Sequence, residues 1–311
     1  MNGKRAETTT ITSDPVIKTV NPTTGNIVRQ YDGMTKEQIK EKVVAGKKVF
    51  WNWRKNLNFR KNFLYELAHN LKKDKEELAK TATTEMGKPI KETRSEIEKC
   101  AWTVQYYADN IETFAKDQVI NTDARNSIVK FQPIGLIASI MPWNFPYWQA
   151  LRFAAPSLAI GNTVALKPAG ATTQCSIKIE ELCRGAKDSP EGIFQTVVGN
   201  STVAENLIDS SEVDAITFTG SVPVGAKVAQ RAAAQVKKCV LELGGSDPFV
   251  VCADADVEKA STGAVKGRFI NCGQSCIASK RFIVVKDIAE EFIEKFVQKT
   301  EKLKVGSPLS D

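Results

Sequence analysis

Thr217-Phe218-Thr219-Gly220-Ser221-Val222-Pro223-Val224-Gly225 is the stretch on which the fold reading turns. A short apolar run that stops at a glycine and resumes with helical spacing reads as a strand, a tight turn and a helix start. The same unit recurs on both sides. Upstream, Ser127 to Ile140 is strand material broken at Pro133-Ile134-Gly135. A helix from Pro146 to Ala159, a strand from Thr163 to Leu166 and a helix from Thr173 to Gly185 come next. Strand Phe194 to Val198, helix Val203 to Asp209 and strand Asp214 to Phe218 lead into the quoted turn; helix Val222 to Gln235 and strand Cys239 to Leu243 leave it. Such alternation predicts an α/β fold with a doubly wound parallel sheet. Ligands of these sheets bind beyond the C-terminal strand ends.

No Gly-x-Gly-x-x-Gly follows any of these strands. Gly220 instead lets a ligand approach the backbone, and the free N–H groups opening the next helix can receive phosphate. A plain βα turn is the rival explanation. Earlier in the chain, Val16 to Tyr31 reads as two short strands around Asn21-Pro22-Thr23-Thr24-Gly25. Thr35 with Gln38 resembles a capping box opening a helix towards Trp53. One helix is expected from about Phe59 to Glu85, stopped by Gly87 and Pro89, and another from Ile90 to Phe114. This N-terminal part reads as scaffold.

The 311 residues are 42% hydrophobic and 25% charged, the balance of a globular protein large enough for one or two domains. Lysines scattered through helices explain most of the net charge of +7, so no nucleic-acid partner is expected. No apolar run has the length of a membrane span. Seven irregularly spaced cysteines point to a reducing, cytoplasmic setting. The single histidine, His69, has no ligand cluster around it, so no metal site is expected. Polar, Thr-rich residues 1–15 read as a flexible tail.

Chemistry gathers at predicted strand ends. Asn144 lies in Met141-Pro142-Trp143-Asn144-Phe145-Pro146, Lys167 ends a strand before Pro168-Ala169-Gly170, and Glu242 interrupts the apolar Val240-Leu241-Glu242-Leu243. A carboxylate buried in such a strand would have its pKa raised by desolvation towards the range of a general base. A helix cap, an exposed cation and a salt bridge are the respective structural alternatives. Asn271-Cys272-Gly273-Gln274-Ser275-Cys276 follows a predicted helix, Ala255 to Ile270, and precedes Lys280 and Arg281. A helix end and nearby cations favour thiolate, the nucleophilic form of cysteine. Asn144, Trp148 and Arg152 step by four and share a helix face.

Met-Pro-Trp-Asn-Phe-Pro, Leu-Lys-Pro, Phe-Thr-Gly-Ser, Leu-Glu-Leu-Gly-Gly and Gly-Gln-Ser-Cys, in this order, resemble the aldehyde dehydrogenase superfamily. The likeness covers about Val16 to Gly306, and Leu-Glu-Leu-Gly-Gly-Ser-Asp-Pro-Phe is similar to its succinate-semialdehyde dehydrogenase branch. The resemblance implies a dinucleotide-binding domain over residues 16–243 and the start of an α/β catalytic domain over 244–311. It implies that Cys276 attacks an aldehyde as thiolate, that Asn144 and the Cys276 N–H hold the oxyanion, and that Glu242 activates water to release the acyl group. Cys272 is the weaker candidate, a neighbour able to form a reversible disulfide.

By the same analogy NAD or NADP would lie against Pro142, Trp143, Asn144, Lys167, Gly170, Gly199, Gly220, Ser221, Val224 and Leu243. Many NAD-preferring members carry an acid where this chain has Gly170, so both cofactors are admissible. Arg152 would clamp the distal carboxylate of a C4 semialdehyde, with a structural ion pair as the alternative. A second arginine of some such enzymes is Ile270 here, with Arg268 close by. Family members continue past the position of Asp311 into a Glu-x-Phe-Gly-Pro segment and a terminal strand used in homo-oligomers. The expectation is therefore a truncated chain with little activity of its own, an incomplete dehydrogenase for succinate semialdehyde or for another aldehyde, with a dinucleotide-binding stub that pairs with a full-length homologue as the alternative.

Overall fold

Leu136-Ile137-Ala138-Ser139-Ile140-Met141 is buried along its whole length, as a strand covered by helices on both faces must be. The computed structural model describes residues 16–310, so the expected tail over 1–15 lies outside the described residues. The first elements are β1 (Ile17–Val20), β2 (Ile27–Tyr31), α1 (Lys36–Trp53), α2 (Leu57–Lys73), α3 (Lys75–Met86) and α4 (Ile90–Phe114). A small antiparallel pair, β3 (Gln118–Val119) and β4 (Ile128–Val129), precedes the α/β part. That part comprises β5 (Leu136–Met141), α5 (Pro146–Ile160), β6 (Thr163–Pro168), α6 (Thr173–Arg184), β7 (Phe194–Thr196), α7 (Ser201–Asp209), β8 (Ala215–Gly220), α8 (Val222–Ala233) and β9 (Lys238–Leu243). Beyond it lie β10 (Pro248–Val251), α9 (Val257–Phe269), β11 (Arg281–Val284) and α10 (Lys286–Glu301).

The five-stranded sheet runs in the order β7-β6-β5-β8-β9 with every neighbouring pair parallel. The chain therefore winds outward one way through β6 and β7, then returns beside β5 through β8 and β9. The switch point lies between β5 and β8, where such sheets bind ligands. Side chains alternate across the sheet. Leu136, Ala138 and Ile140 join α1, α7 and α8 in one core, while Met141, Val164 and Leu166 join α2 to α6 in a larger one. The predicted doubly wound sheet is thus present. A separate parallel pair, β10 with β11, packs on α9 and α10 around Val251, Ala264 and Phe292.

Thr35 and Gln38 form the capping box read from the sequence, and Gly87 caps α3 with φ of +79°. The expected helix from 59 to 85 is two helices. At Asp74 the backbone leaves helical geometry (φ −96°, ψ 14°), which hydrophobic spacing alone does not reveal. The strand material before Pro133 also splits off, pairing in the small β3–β4 ribbon rather than in the main sheet.

The start of β5 depends on a close approach. Gly135 sits at φ +140°, and a Cβ there would lie 1.9 Å from Asp214 Oδ2. That carboxylate accepts the Leu136 N–H at 2.8 Å and the Lys47 ammonium at 2.6 Å, tying α1 to the β5–β8 edge. Gly135→Ala is expected to lower stability by at least about 2 kcal/mol through backbone strain and loss of this contact. Urea unfolding checks it, and an unchanged midpoint contradicts the packing described.

Candidate active site

Parallel register brings the C-terminal ends of β5, β6, β8 and β9 to one rim of the sheet, since Met141 pairs with Pro168, Thr219 with Glu242 and Gly220 with Leu243. Pro142, Trp143 and Asn144 leave β5 at this rim. Proline occupies the first position of α5 and supplies no N–H, and Phe145 at the cap position has no side-chain acceptor. The next two donors are satisfied from another helix. Glu96 Oε1, on α4, accepts the Tyr147 N–H at 2.9 Å and the Trp148 N–H at 2.8 Å. Its other oxygen pairs with the Lys88 ammonium, and the Lys88 and Glu96 side chains are 0% and 2% exposed. Lys88 also lies over the Phe145 ring, 4.7 Å from its centre.

Asn144 reaches the thiol loop in both directions. Its Nδ2 donates to the Gln274 carbonyl at 2.8 Å, and its own carbonyl accepts from Asn271 Nδ2 at 2.8 Å. One amide hydrogen of Asn144 is thereby committed and the second remains over. The loop is wound tightly after α9. Asn271 (φ +57°), Cys272 (φ +55°) and Gly273 (φ +74°) are consecutive left-handed residues. Such conformations cost a non-glycine residue of order 1–3 kcal/mol and persist only where surrounding contacts hold them. Asn271 is fully buried, and Cys276, two residues past Gln274, is exposed. Lys280 Nζ donates to the Cys276 carbonyl, so one of the predicted cations does stand beside the thiol's backbone. Burial and the Glu92 carboxylate push the Cys272 thiol up.

Glu242 lies in β9 at the strand end, as expected, but it is not buried there. β9 lies at the edge of the sheet, and the Glu242 side chain is 58% exposed, so the expected desolvation is absent. Its nearest cation is Arg152, with Nη2 4.0 Å from Oε2. The same guanidinium donates to Gln149 at 2.9 Å and to Thr219 Oγ1 at 3.2 Å. Arg152 therefore bridges α5 to the β8–β9 rim.

The remaining predicted positions line the rim or its loops. Lys167 is half-buried near the end of β6, where burial lowers its pKa. Gly170 opens a short 3-10 turn after β6, and a Cβ there would crowd Ile17 at 3.2 Å. At Gly199, beyond β7, a Cβ would meet Val203 at 2.2 Å. Ser221 heads α8 with no side-chain capping bond, and Val222 and Val224 are exposed there. Pro223 has no N–H and the Gly225 N–H bonds the Ser221 carbonyl, so the turn leaves the Val222 and Val224 N–H groups uncapped, donors of the kind that can receive a phosphate. Leu243 packs close to Gly225. Among the described residues no cluster could hold a metal, and no helix is long and apolar enough to cross a membrane.

Nothing in the sequence hints at a role for Lys88, and Asn271, although part of the thiol loop, carries no sign there that it is buried and bonded to Asn144. A signal did exist for Glu96, a charge on the stripe of α4 that otherwise carries Thr93, Ile97, Cys100 and Val104.

A doubly wound sheet with a thiol loop bonded to the turn after its central strand defines the class. The aldehyde dehydrogenase family pattern matches residues 9–311, and the chain belongs to that family. It is 44% identical over 294 residues to a probable succinate-semialdehyde dehydrogenase [NADP(+)] of Synechocystis sp., covering 94% of this chain and 64% of that protein. Solved structures that resemble it include a succinic semialdehyde dehydrogenase from Streptococcus pyogenes in complex with NADP+ (TM-score 0.91, 31% identity, 94% of this chain and 65% of that one). Another is PnpE in complex with nicotinamide adenine dinucleotide (TM-score 0.91, 31% identity, 95% and 61%). The chain spans just under two thirds of the length of the relatives it matches.

Exposure and electrostatics set an order of thiol reactivity. Cys100, Cys175 and Cys183 are buried with raised pKa values, whereas Cys252, Cys272 and Cys276 are exposed. Iodoacetamide is expected to label Cys276 and Cys252 first. Labelling of Cys272 should rise only at higher pH, because its thiol is held up by burial and Glu92. Mass spectrometry of timed digests checks the order; uniform labelling of all seven contradicts it.

Proposed function

We propose that the protein oxidises a small aldehyde with NADP or NAD, succinate semialdehyde being the substrate its relatives and site support best. Residues 16–243 form the dinucleotide-binding part, and residues 244–311 belong to the catalytic part. The observation that carries the reading is the pair of hydrogen bonds between Asn144 and the loop of Asn271 and Gln274, which sets an amide beside the thiol segment. Free thiols at all seven cysteines agree with a cytoplasmic setting.

In this mechanism the Cys276 thiolate attacks the aldehyde carbon, forming a C–S bond as the carbonyl electron pair moves onto oxygen. The spare Asn144 N–H and the Cys276 backbone N–H stabilise that oxyanion; one such donor contributes about 3 kcal/mol to the transition state. The bound dinucleotide supplies the acceptor for the hydride that leaves this carbon. Lys167, Gly220 and the N-terminus of α8 would hold the dinucleotide. Glu242 then takes a proton from water, whose oxygen displaces the Cys276 thiolate from the acyl carbon. Arg152 turns its guanidinium from Glu242 to the carboxylate of the substrate, or remains paired with Glu242. Replacing Arg152 by Ala should raise KM for succinate semialdehyde about tenfold or more and leave a simple aliphatic aldehyde nearly unaffected. Equal effects on both aldehydes would assign Arg152 to the ion pair alone.

The exposure of Cys276 and Glu242 favours a second reading, a dinucleotide-binding unit that turns over weakly or not at all. Mixing the 311-residue chain with NADP and succinate semialdehyde separates the two. The catalytic reading predicts reduced cofactor, a succinyl group on Cys276, and neither in Cys276→Ser. Cofactor binding by tryptophan fluorescence with no reduced product supports the second reading. Reduction that persists in Cys276→Ser overturns the assigned nucleophile.

A further inference from the structure

α4 stands behind both partners of the Asn144 junction, although no residue of α4 belongs to the rim. Glu96, in its second turn, holds the N–H groups of Tyr147 and Trp148, three and four residues past Asn144. Those donors have no alternative acceptor within α5, because the first turn of a helix cannot bond to itself and the cap residue is Phe145. Glu92, one turn earlier, keeps one carboxylate oxygen buried without a partner. Burial pushes the Glu92 carboxyl up, and the backbone N–H of Asn271 opposes the rise. Glu92 thus faces the thiol loop while Glu96 faces the Asn144 turn. Lys88 pairs with Glu96 and lies over the Phe145 ring, which adjoins Asn144 in sequence.

A buried charge pair is weak evidence of stability, since apolar replacements of similar volume often serve as well. Its geometry here is specific. One carboxylate oxygen is spent on two helix donors and the other on one ammonium. An apolar pair could fill the space but could not hold the first turn of α5 in place.

We propose that Lys88 and Glu96 form a positioning pair: by capping α5 through Tyr147 and Trp148 they fix the Asn144 turn, and through its bonds to Gln274 and Asn271 they fix the thiol loop. The pair touches no reactant, and its role in catalysis rests on the function proposed above. The positioning itself does not.

The test uses the 311-residue chain and two double variants. Lys88→Met/Glu96→Leu removes the charges and the acceptor; Lys88→Met/Glu96→Gln removes the charges but keeps a carbonyl oxygen for the α5 donors. Hydrogen exchange is read at Tyr147, Trp148 and residues 271–276, and iodoacetamide labelling as the ratio of Cys276 to the exposed Cys252. The Leu variant is expected to exchange about tenfold faster at 271–276 and to change the labelling ratio at least about threefold. The Gln variant should stay within about twofold of the parent in both. A Leu variant that loses thermal stability yet keeps parental exchange in the loop overturns the proposal.

Should the Leu variant not fold, the parent chain decides. Amides of Tyr147, Trp148 and Gln274 should open together as denaturant is raised, and independent opening overturns the proposal. The function reading fails separately, if Cys276 of the parent takes no acyl group from aldehyde and cofactor while the exchange results stand.

Discussion

One asparagine side chain and its own carbonyl join the parallel sheet to the loop that carries the thiols. Asn144 gives a hydrogen to Gln274 and takes one from Asn271, and both contacts are partly shielded from water. Each such bond contributes only about 1 kcal/mol net, but leaving its buried partner unmade costs about 1–3 kcal/mol. Asn271 makes that penalty acute. It is fully buried and left-handed, with one side-chain oxygen already unpartnered. The strained turn that precedes Cys276 is therefore held from the β5 side, and the small core of α9 and α10 alone does not account for it.

The two sides of this junction are unequally supported. β5 is covered on both faces by large apolar clusters, and Gly135, Asp214 and Lys47 lock its start. Among the described residues from β10 onward, the apolar cluster is small, with Val251, Ala264 and Phe292 as its buried members. Order in the thiol loop thus flows from the sheet to the loop, through the α5 turn that Glu96 caps. The same asymmetry explains the rim. β9 is an edge strand, so Glu242 is left exposed beside Arg152 while Leu243, on the opposite face, packs close to Gly225.

Much of this was legible in the sequence where local chemistry dominates. The glycine turn at Gly220, the Thr35–Gln38 box, the glycine stop at Gly87 and the helix of Ile90–Phe114 are all set by residues near one another. The expectation of one helix face for Asn144, Trp148 and Arg152 holds only for the last two, which lie on α5; Pro146 starts the helix, so Asn144 sits in the turn ahead of it. Failures occurred where distant groups decide. An apolar strand sequence cannot reveal whether it lies at an edge, so Glu242 was expected to be desolvated and is exposed. Apolar spacing runs through Asp74 unbroken while the backbone turns there. Nothing near Pro146 announces that its helix is capped by Glu96, fifty residues earlier in the chain.

The central claim is that the Asn144 amide serves the chemistry at Cys276 as well as the fold. The rate at which succinate semialdehyde and NADP acylate Cys276, compared between the parent and Asn144→Ala at matched folded fraction, tests it most directly. The account predicts a fall of about 10²–10³ in that rate, the effect of losing one oxyanion donor. A change of less than about twofold in a folded Asn144→Ala chain would contradict it, and would leave Asn144 as a structural tie alone.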